Sequence, residues 1–187
     1  MKKKILNTYL ILGVSGIVLL ACTKDVDFNQ VDDFEVSPVV ESSLIFLNEP
    51  ANQFYENNAE VTTVQDSVLI DVFEDQFVQD YLVKAAFFFE TQNSINRSFQ
   101  LRVDFLADAD VLVHSFDYTV PSSPNNAVLN SNYTEVFEGD DLVSLKATRK
   151  LIFTLSLLDG TPINENTPGT INMKSKGTFY LNIDDTL

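Results

Sequence analysis

The sequence predicts an all-β domain built as a two-sheet antiparallel β-sandwich, either Ig-like or a jelly-roll. From residue 43 onward, short runs rich in β-branched and aromatic residues alternate with clusters of Asn, Asp, Pro and Gly, which is typical of strands and turns. The chain also holds 15 phenylalanines, enough for a sizeable core. Two packed sheets are the expected solution at this size, because an open sheet must protect its edges. A closed barrel is the alternative.

The first half of the domain contains the clearest strand, at residues 97–106. Phe99, Leu101, Val103 and Phe105 alternate there with polar residues, so they share one face. The unbroken apolar middle of residues 81–91 predicts a central strand that is covered on both faces. The other strands predicted in this half are 43–47, 60–65 and 67–73.

The second half begins with a hairpin turn at residues 107–110, where Asp side chains can bond to their own backbone. Residues 142–150 are expected to hold one helical turn, capped by Asp140 or Asp141. The strands predicted in this half are 111–120, 133–137, 151–158, 170–173 and 177–183. Eight to ten short, irregular strands do not favour a transmembrane barrel, which needs a continuous lipid-facing band.

The first 22 residues have the pattern of a secretory leader. Lys2, Lys3 and Lys4 precede an apolar run at residues 9–21, which ends at Cys22, the only cysteine. That run is about 13 residues long, whereas a helix needs about 20 to span a bilayer, so a permanent transmembrane helix is not expected.

Leu19-Leu20-Ala21-Cys22 resembles the lipobox of bacterial lipoproteins. In that family the leader is cut before the cysteine, which then carries diacylglycerol and an N-acyl chain such as palmitate. Two or more acyl chains anchor a protein stably. The resemblance therefore implies a lipid on Cys22 as the membrane anchor, and no other cofactor is expected. With Cys22 lipidated, no thiol remains for a disulfide or for catalysis.

Three segments follow from these patterns: a signal peptide at 1–21, the lipidated Cys22 with an acidic tether at 22–42, and the β-sandwich at 43–187. Removing a leader with three lysines and no acid changes the formal net charge from −15 to −18. Such a charge repels nucleic acid, so a nucleic-acid partner is not expected.

The tether and two short motifs resemble features of Bacteroidota surface lipoproteins. Lys24-Asp25, or residues 32–35 (Asp-Asp-Phe-Glu), is similar to their acidic export signal, with a plain solvated linker as the alternative. Asp66-Ser67-Val68 and Asp185-Thr186-Leu187 are similar to their O-glycosylation sequon, which makes Ser67 a candidate site. The resemblance implies a lipid-anchored outer-membrane protein, with surface exposure favoured over the periplasm.

His114, the only histidine, is predicted to have a structural role at the core or at a sheet edge. Counting by two along its strand places it with Leu112, Phe116, Tyr118 and Val120, on the apolar side. A catalytic histidine needs an orienting acid and a nucleophile, and the sequence identifies neither. A typical zinc site needs several His or Cys ligands, which this chain does not have.

Several acids at predicted turns are weak candidates for calcium, which prefers oxygen ligands. These are Asp108, Asp110, Glu138, Asp140 and Asp141, with Asp184 and Asp185 near the end of the chain. None matches the Asp-x-Asp-x-Asp-Gly loop pattern, so solvated turn acids are the default interpretation.

The sequence therefore favours a protein that is not an enzyme, and two functional classes stay open. The first is an accessory or interaction subunit of an outer-membrane transport, secretion or assembly complex, which would be supported by an exposed apolar or unpaired strand edge. The second is a cell-surface module for glycan binding or calcium-dependent adhesion. The chain has no tryptophan, which argues weakly against sugar stacking.

Overall fold

The computed structural model describes residues 35–184, and residues 35–183 form one compact unit. The predicted signal peptide and residues 22–34 of the predicted tether lie outside the described residues. Eight long strands make up the fold. In chain order they are β2 (Val39–Pro50), β5 (Thr63–Leu69), β6 (Leu82–Asn93), β7 (Phe99–Leu106), β8 (Leu112–Val120), β9 (Leu129–Phe137), β10 (Lys150–Leu157) and β11 (Thr170–Leu181).

These strands form two four-stranded antiparallel sheets, which confirms the predicted all-β sandwich. Sheet I has the order β2-β11-β6-β9 and sheet II has the order β5-β10-β7-β8. The pairs β7–β8, β6–β9, β5–β10 and β2–β11 are nested in sequence, so the chain is one long hairpin rolled into two sheets. This topology is a jelly-roll, the second of the two predicted alternatives.

Short elements connect the long strands. The pairs β1 (Glu35–Val36) with β12 (Ile183–Asp184) and β3 (Tyr55–Glu56) with β4 (Ala59–Glu60) form two small ladders. Between residues 35 and 184 there are two short helices, α1 (Gln76–Tyr81) and α2 (Gly139–Lys146), and three 3-10 turns at Ala51–Phe54, Val72–Glu74 and Asp108–Asp110.

A cluster of phenylalanine rings fills the space between the sheets. Phe87 of β6 is fully buried, and its ring centroid lies 5.7 Å from that of Phe105, 5.2 Å from that of Phe137 and 6.0 Å from that of Phe179. Gly177 leaves room for these rings, since a Cβ there would come within 2.9 Å of the Phe179 ring. The rings of sheet I thus interlock with those of sheet II in one continuous core.

Four strands differ clearly in extent from their predicted bounds, and one of them, β2 (Val39–Pro50), is longer at both ends than the predicted 43–47. The predicted strands 60–65 and 67–73 are replaced by β5, because the chain turns into an αR conformation at Asp71 before the turn Val72–Glu74. The predicted strands 170–173 and 177–183 are one strand, β11, which continues across Lys174–Lys176 with a register shift. β9 starts at Leu129, four residues before the predicted strand, because polar residues face out along an edge strand.

The predicted tether overlaps the folded unit. Its last residues include β1 and the start of β2, where Val39 pairs with Tyr180 and Val40 with Phe179. The sandwich therefore begins at residue 35 rather than at residue 43.

Helix α2 confirms the predicted helical turn, but its cap differs from the prediction. Glu138 is the N-cap residue and makes no side-chain capping bond. Asp140 and Asp141 lie in the first helical turn instead, where their charges interact favourably with the helix dipole.

We predict that Phe87→Ala lowers the free energy of unfolding by about 3–5 kcal/mol, because it leaves a cavity among four interlocked rings. Phe46→Ala is the matched control, since Phe46 is 67% exposed, and it should change stability by no more than about 0.5 kcal/mol. Urea titrations of the two variants beside the wild type measure both effects. Similar midpoints for the two variants would contradict this account of the core.

Candidate functional site

Of the sequence-predicted residues, the structure brings His114 and Asp141 together, with Nδ1 and Oδ1 3.7 Å apart. Cys22 and the motif at residues 185–187 lie outside the described residues. Ser67 is exposed on β5, and its backbone N–H donates to Asp66 Oδ1 at 2.7 Å. Ser67 pairs with Ile152 rather than with a core residue, so its hydroxyl lies on the outer face of sheet II.

The candidate calcium ligands lie at the turn before β8, at the start of helix α2 and in β12, and Asp185 lies outside the described residues. Asp108 and Asp110 lie in the 3-10 turn between β7 and β8, and Asp110 forms an ion pair with Lys150. Glu138 lies 2.5 Å from Lys84 Nζ. Between residues 35 and 184, no three side chains of His, Cys, Asp or Glu lie close enough together to hold a metal ion.

His114 lies on the core side of β8, as predicted, together with the buried Phe116 and Val120. Its ring packs edge-on against Phe105 and Phe137, with centroids 5.3 and 4.9 Å apart. The prediction was wrong for Leu112, which is 52% exposed, because the register of β7 with β8 shifts between Phe105 and Leu106.

Glu135 of β9 is the acid partner that sequence reasoning missed. His114 Nε2 lies 2.7 Å from Glu135 Oε1, so the imidazole N–H donates to the carboxylate. Tyr133 donates to the other oxygen, Oε2, at 2.5 Å. Only 15–16% of the His114 and Glu135 side chains is exposed. Since β8 and β9 are edge strands of different sheets, this network closes one seam of the sandwich.

The Glu135 carboxylate also changes the acidity of Tyr133. The hydrogen bond to Glu135, assisted by burial and by the nearby negative charge, raises the pKa of Tyr133 to about 12. Deprotonation would place two negative charges at hydrogen-bond distance. Tyr133 is therefore held as a neutral donor, and the network has the chemistry of a structural latch.

We predict that Tyr133→Phe removes a tyrosine that titrates near pH 12, measured by ultraviolet absorbance of tyrosinate. The folded pKa is raised above the unfolded value of about 10, so the hydrogen bond contributes stability below pH about 10. This contribution, about 1 kcal/mol, is lost as the pH rises through about 12.

Tyr118→Phe is the control, because the Tyr118 hydroxyl contacts Thr91 Oγ1 and not a carboxylate. The latch predicts that the stability difference between wild type and Tyr133→Phe shrinks at high pH. A difference that stays constant from neutral pH to beyond pH about 12 would contradict it.

The opposite seam, between edge strands β2 and β5, is open and contains two cavities. The first has a volume of about 340 Å³. Its walls come from Ile45–Glu49 on β2 and from Val64 and Asp66 on β5, and its floor includes the core residues Leu101 and Met173. An apolar groove therefore lies along this seam, directly above buried core residues.

The second cavity, of about 400 Å³, continues the same seam toward the start of β2. It lies between Val40–Leu44 on β2 and residues 68–73 at the end of β5, and Phe87 and Phe179 lie at its base. The two cavities together form a groove along the seam, and Phe87 stays fully buried beneath it.

Exposed apolar side chains lie on both sides of this open seam. Phe46 on β2 is 67% exposed and Leu69 on β5 is 80% exposed. Phe46 is opposite Lys174 and Leu69 is opposite Lys150, so both side chains lie on the outer faces of the sheets, directly beside the seam. The other members of this apolar rim are Val39, Val40, Val64 and Val72. Sequence reasoning missed the site, because the strand runs do not show which strands remain unpaired at an edge.

Charge at the seam has a single sign. The side chains that line the two cavities include three acids, Glu49, Asp66 and Asp71, and no Lys or Arg. An apolar surface with an acidic lining can accept a segment that combines apolar side chains with cations.

Comparison with known proteins finds no family: no family model matches the sequence, and no curated protein matches it. Solved structures with some likeness include a predicted secreted protein of Parabacteroides distasonis, with a TM-score of 0.46, 13% identity, and coverage of 63% of this chain and 37% of that one. The VP2 subviral particle of infectious bursal disease virus has a TM-score of 0.42 and 8% identity, and the match covers 80% of this chain and 33% of that one. The enzymatically active domain of tailspike protein 4 of bacteriophage CBA120 has a TM-score of 0.38 and 6% identity, and the match covers 74% of this chain and 19% of that one.

This chain spans between about a fifth and two fifths of those three chains. The jelly-roll assignment depends on the strand order and pairing described above. Among the helices of residues 35–184, none has the length and apolar character to cross a membrane.

Proposed function

We propose that this protein is a lipid-anchored outer-membrane lipoprotein that acts as a non-enzymatic accessory subunit of a transport, secretion or assembly complex. The single observation that carries the proposal is the open, apolar seam between β2 and β5. Its rim is strongly exposed at Phe46 and Leu69, and two cavities lie along it above the core. Unpaired strand edges and exposed apolar strips are surfaces on which protein partners dock.

The occupant that we propose for this seam is a different protein of the same membrane. A second copy of this chain is disfavoured, because each copy carries a formal net charge of −15, or −18 without the leader. Like charges slow the encounter and oppose docking at an acidic seam. A partner with exposed cations has neither disadvantage.

The membrane location is proposed from the leader and Cys22. A lipid on Cys22 holds the protein at the outer membrane, and we favour the cell-surface side because the acidic residues after the cysteine resemble a surface-export signal. A surface lipoprotein reaches other outer-membrane proteins by diffusion in two dimensions.

Cys22→Ala tests the anchor. We expect the variant to lose labelled palmitate, and either to leave the membrane as a folded soluble domain or to accumulate as an unprocessed precursor. Thr23→Ala is the control and should stay lipidated. Fractionation after a salt wash measures the outcome, and a Cys22→Ala protein that is processed and still membrane-bound would overturn the anchor.

Phe46→Thr with Leu69→Thr tests the docking seam, since threonine keeps β-propensity while it removes apolar area. We expect the double variant to reduce recovery of a specific partner from gently solubilised membranes by at least about ten-fold. Burial of each side chain is worth about 1.5–3 kcal/mol, and about 1.4 kcal/mol is ten-fold in affinity.

Leu112→Thr with Val136→Thr is the matched control, because both residues are exposed on edge strands of the closed seam. The control should keep the partner. Recovery of the wild-type lipoprotein alone, or equal loss of the partner from both double variants, would count against the proposal.

The alternative, a surface glycan-binding module, has one observation in its favour. A shallow depression of about 320 Å³ on the outer face of sheet I is lined by Phe88, Glu90, Lys174 and Lys176, among others. Phe88 is half-buried there, so it offers only a small platform for a sugar ring. The open seam is larger and more apolar than this depression, and we therefore favour the docking function.

A further inference from the structure

We infer that the open seam recognises an extended segment of the partner in which a Lys or Arg is flanked by apolar side chains. The inference rests on the proposed docking function and names the chemistry of the partner. It comes from two carboxylates, Glu49 and Asp66, which lie on the core faces of the two edge strands that form the seam.

The strand register shows which way the two acids face. Glu49 is directly opposite Ile171, and Asp66 is directly opposite Phe153. Ile171 and Phe153 are buried in the core, and directly opposed residues of an antiparallel pair lie on the same face of the sheet. Both carboxylates therefore face the space between the sheets, and both line the first cavity.

These two acids have no cation within the fold as described. Many other acids do: Glu41 pairs with Lys176, Glu60 with Arg97 and Asp104 with Arg102. Among the ion pairs of residues 35–184, none includes Glu49 or Asp66. One oxygen of Asp66 accepts from the Ser67 N–H, which leaves the second oxygen for another donor.

A purely apolar occupant would bury these carboxylates without a counter-charge. Burying an unpaired charge is costly, whereas a charge-assisted hydrogen bond to Lys or Arg compensates the lost hydration. An acyl chain or an apolar peptide therefore fits the walls of the seam and conflicts with its two acids. A cation with apolar neighbours matches both the apolar walls of the seam and its two acids.

A second copy cannot supply that cation from its own edges. β2 (Val39–Pro50) and β5 (Thr63–Leu69) contain Glu41, Glu49 and Asp66, but no Lys or Arg. Edge-to-edge pairing of two copies through these strands would bring acids to acids. Neither of these edges in a second copy therefore matches the two acids.

β5 is the edge along which we place the partner segment. It pairs with β10 without a register shift, whereas β2 has a shift opposite Lys174–Lys176 that interrupts its edge. A strand added beside β5 directs every second side chain into the seam, about 7 Å apart. A cation near Asp66 then places its i±2 neighbours near Val64 and Val68, which line the two cavities.

Photo-crosslinking in intact membranes tests the inference on the full-length protein. p-Benzoylphenylalanine is incorporated at Leu69, and at Leu112 of the closed seam as the control, and the crosslinked partner peptide is identified by mass spectrometry. We expect Leu69, but not Leu112, to crosslink to a segment of another protein with a Lys or Arg within about two to four residues and apolar residues at alternate positions.

Glu49→Gln with Asp66→Asn, made in the Leu69 crosslinking protein, separates this inference from the docking proposal. We expect the neutral variant to reduce crosslink yield at least about ten-fold, since both charge-assisted hydrogen bonds to the partner cation are lost. Asp159→Asn with Glu165→Gln, two exposed acids of the loop after β10, makes the same charge change and should leave the yield unaltered.

Each remaining outcome has a distinct meaning. Three results overturn the inference. They are a crosslink to a segment without a cation, a crosslink to a second copy or to this chain itself, and an unchanged crosslink yield in the neutral variant. If the crosslinked segment belongs to another protein but contains no Lys or Arg, the docking proposal stands while this inference is overturned. No crosslink at Leu69 in membranes overturns both.

Discussion

Any open β-sheet ends in strands with unpaired backbone groups, and a sandwich of two four-stranded sheets has four such edges. Here they are β2 and β9 of sheet I and β5 and β8 of sheet II. They meet in pairs at two seams, and the chain treats the two seams differently. The β8–β9 seam is closed by His114, Glu135 and Tyr133, whereas the β2–β5 seam is left open above two cavities.

The difference between the seams has a chemical origin. At the closed seam one carboxylate, Glu135, meets two donors, the imidazole of His114 and the phenol of Tyr133. At the open seam two carboxylates, Glu49 and Asp66, face the same cavity without a Lys or Arg in its lining. Closing the sheets there would dehydrate both charges with nothing to compensate them. The open seam leaves Asp66 exposed to water and Glu49 half-buried.

Much of the fold could be predicted from the sequence, because alternation identifies a strand locally. The predicted bounds 97–106 come close to β7, and its apolar face is fully buried at Phe99, Leu101, Val103 and Phe105. The bounds of strands with polar outer faces were harder to predict. β9 and β11 are interrupted by Asn, Ser, Thr and Lys, so their full lengths depend on partners that local alternation does not reveal.

The candidate site was much less predictable, since it depends on pairing between distant parts of the chain. Glu135 lies 21 residues from His114 along the chain and on the other sheet. Asp66 appeared in the sequence only as part of a short glycosylation-like motif. Its inward direction became visible through its register with Phe153. An acid on an edge strand that lies directly opposite a core residue indicates such a site. This pattern can be recognised only when the strand order is known.

The anchor and the open seam make complementary demands on the protein. A seam that exposes apolar residues and uses charge recognition is sensitive to salt and has modest affinity when both partners diffuse freely. Twelve residues separate Cys22 from Glu35, and they reach at most about 40 Å. A lipid on Cys22 would therefore confine the seam to a thin layer above the membrane, where the effective concentration of a membrane partner is high. Such a tether would make a weak seam sufficient, and the high negative charge would oppose pairing between copies in the same layer.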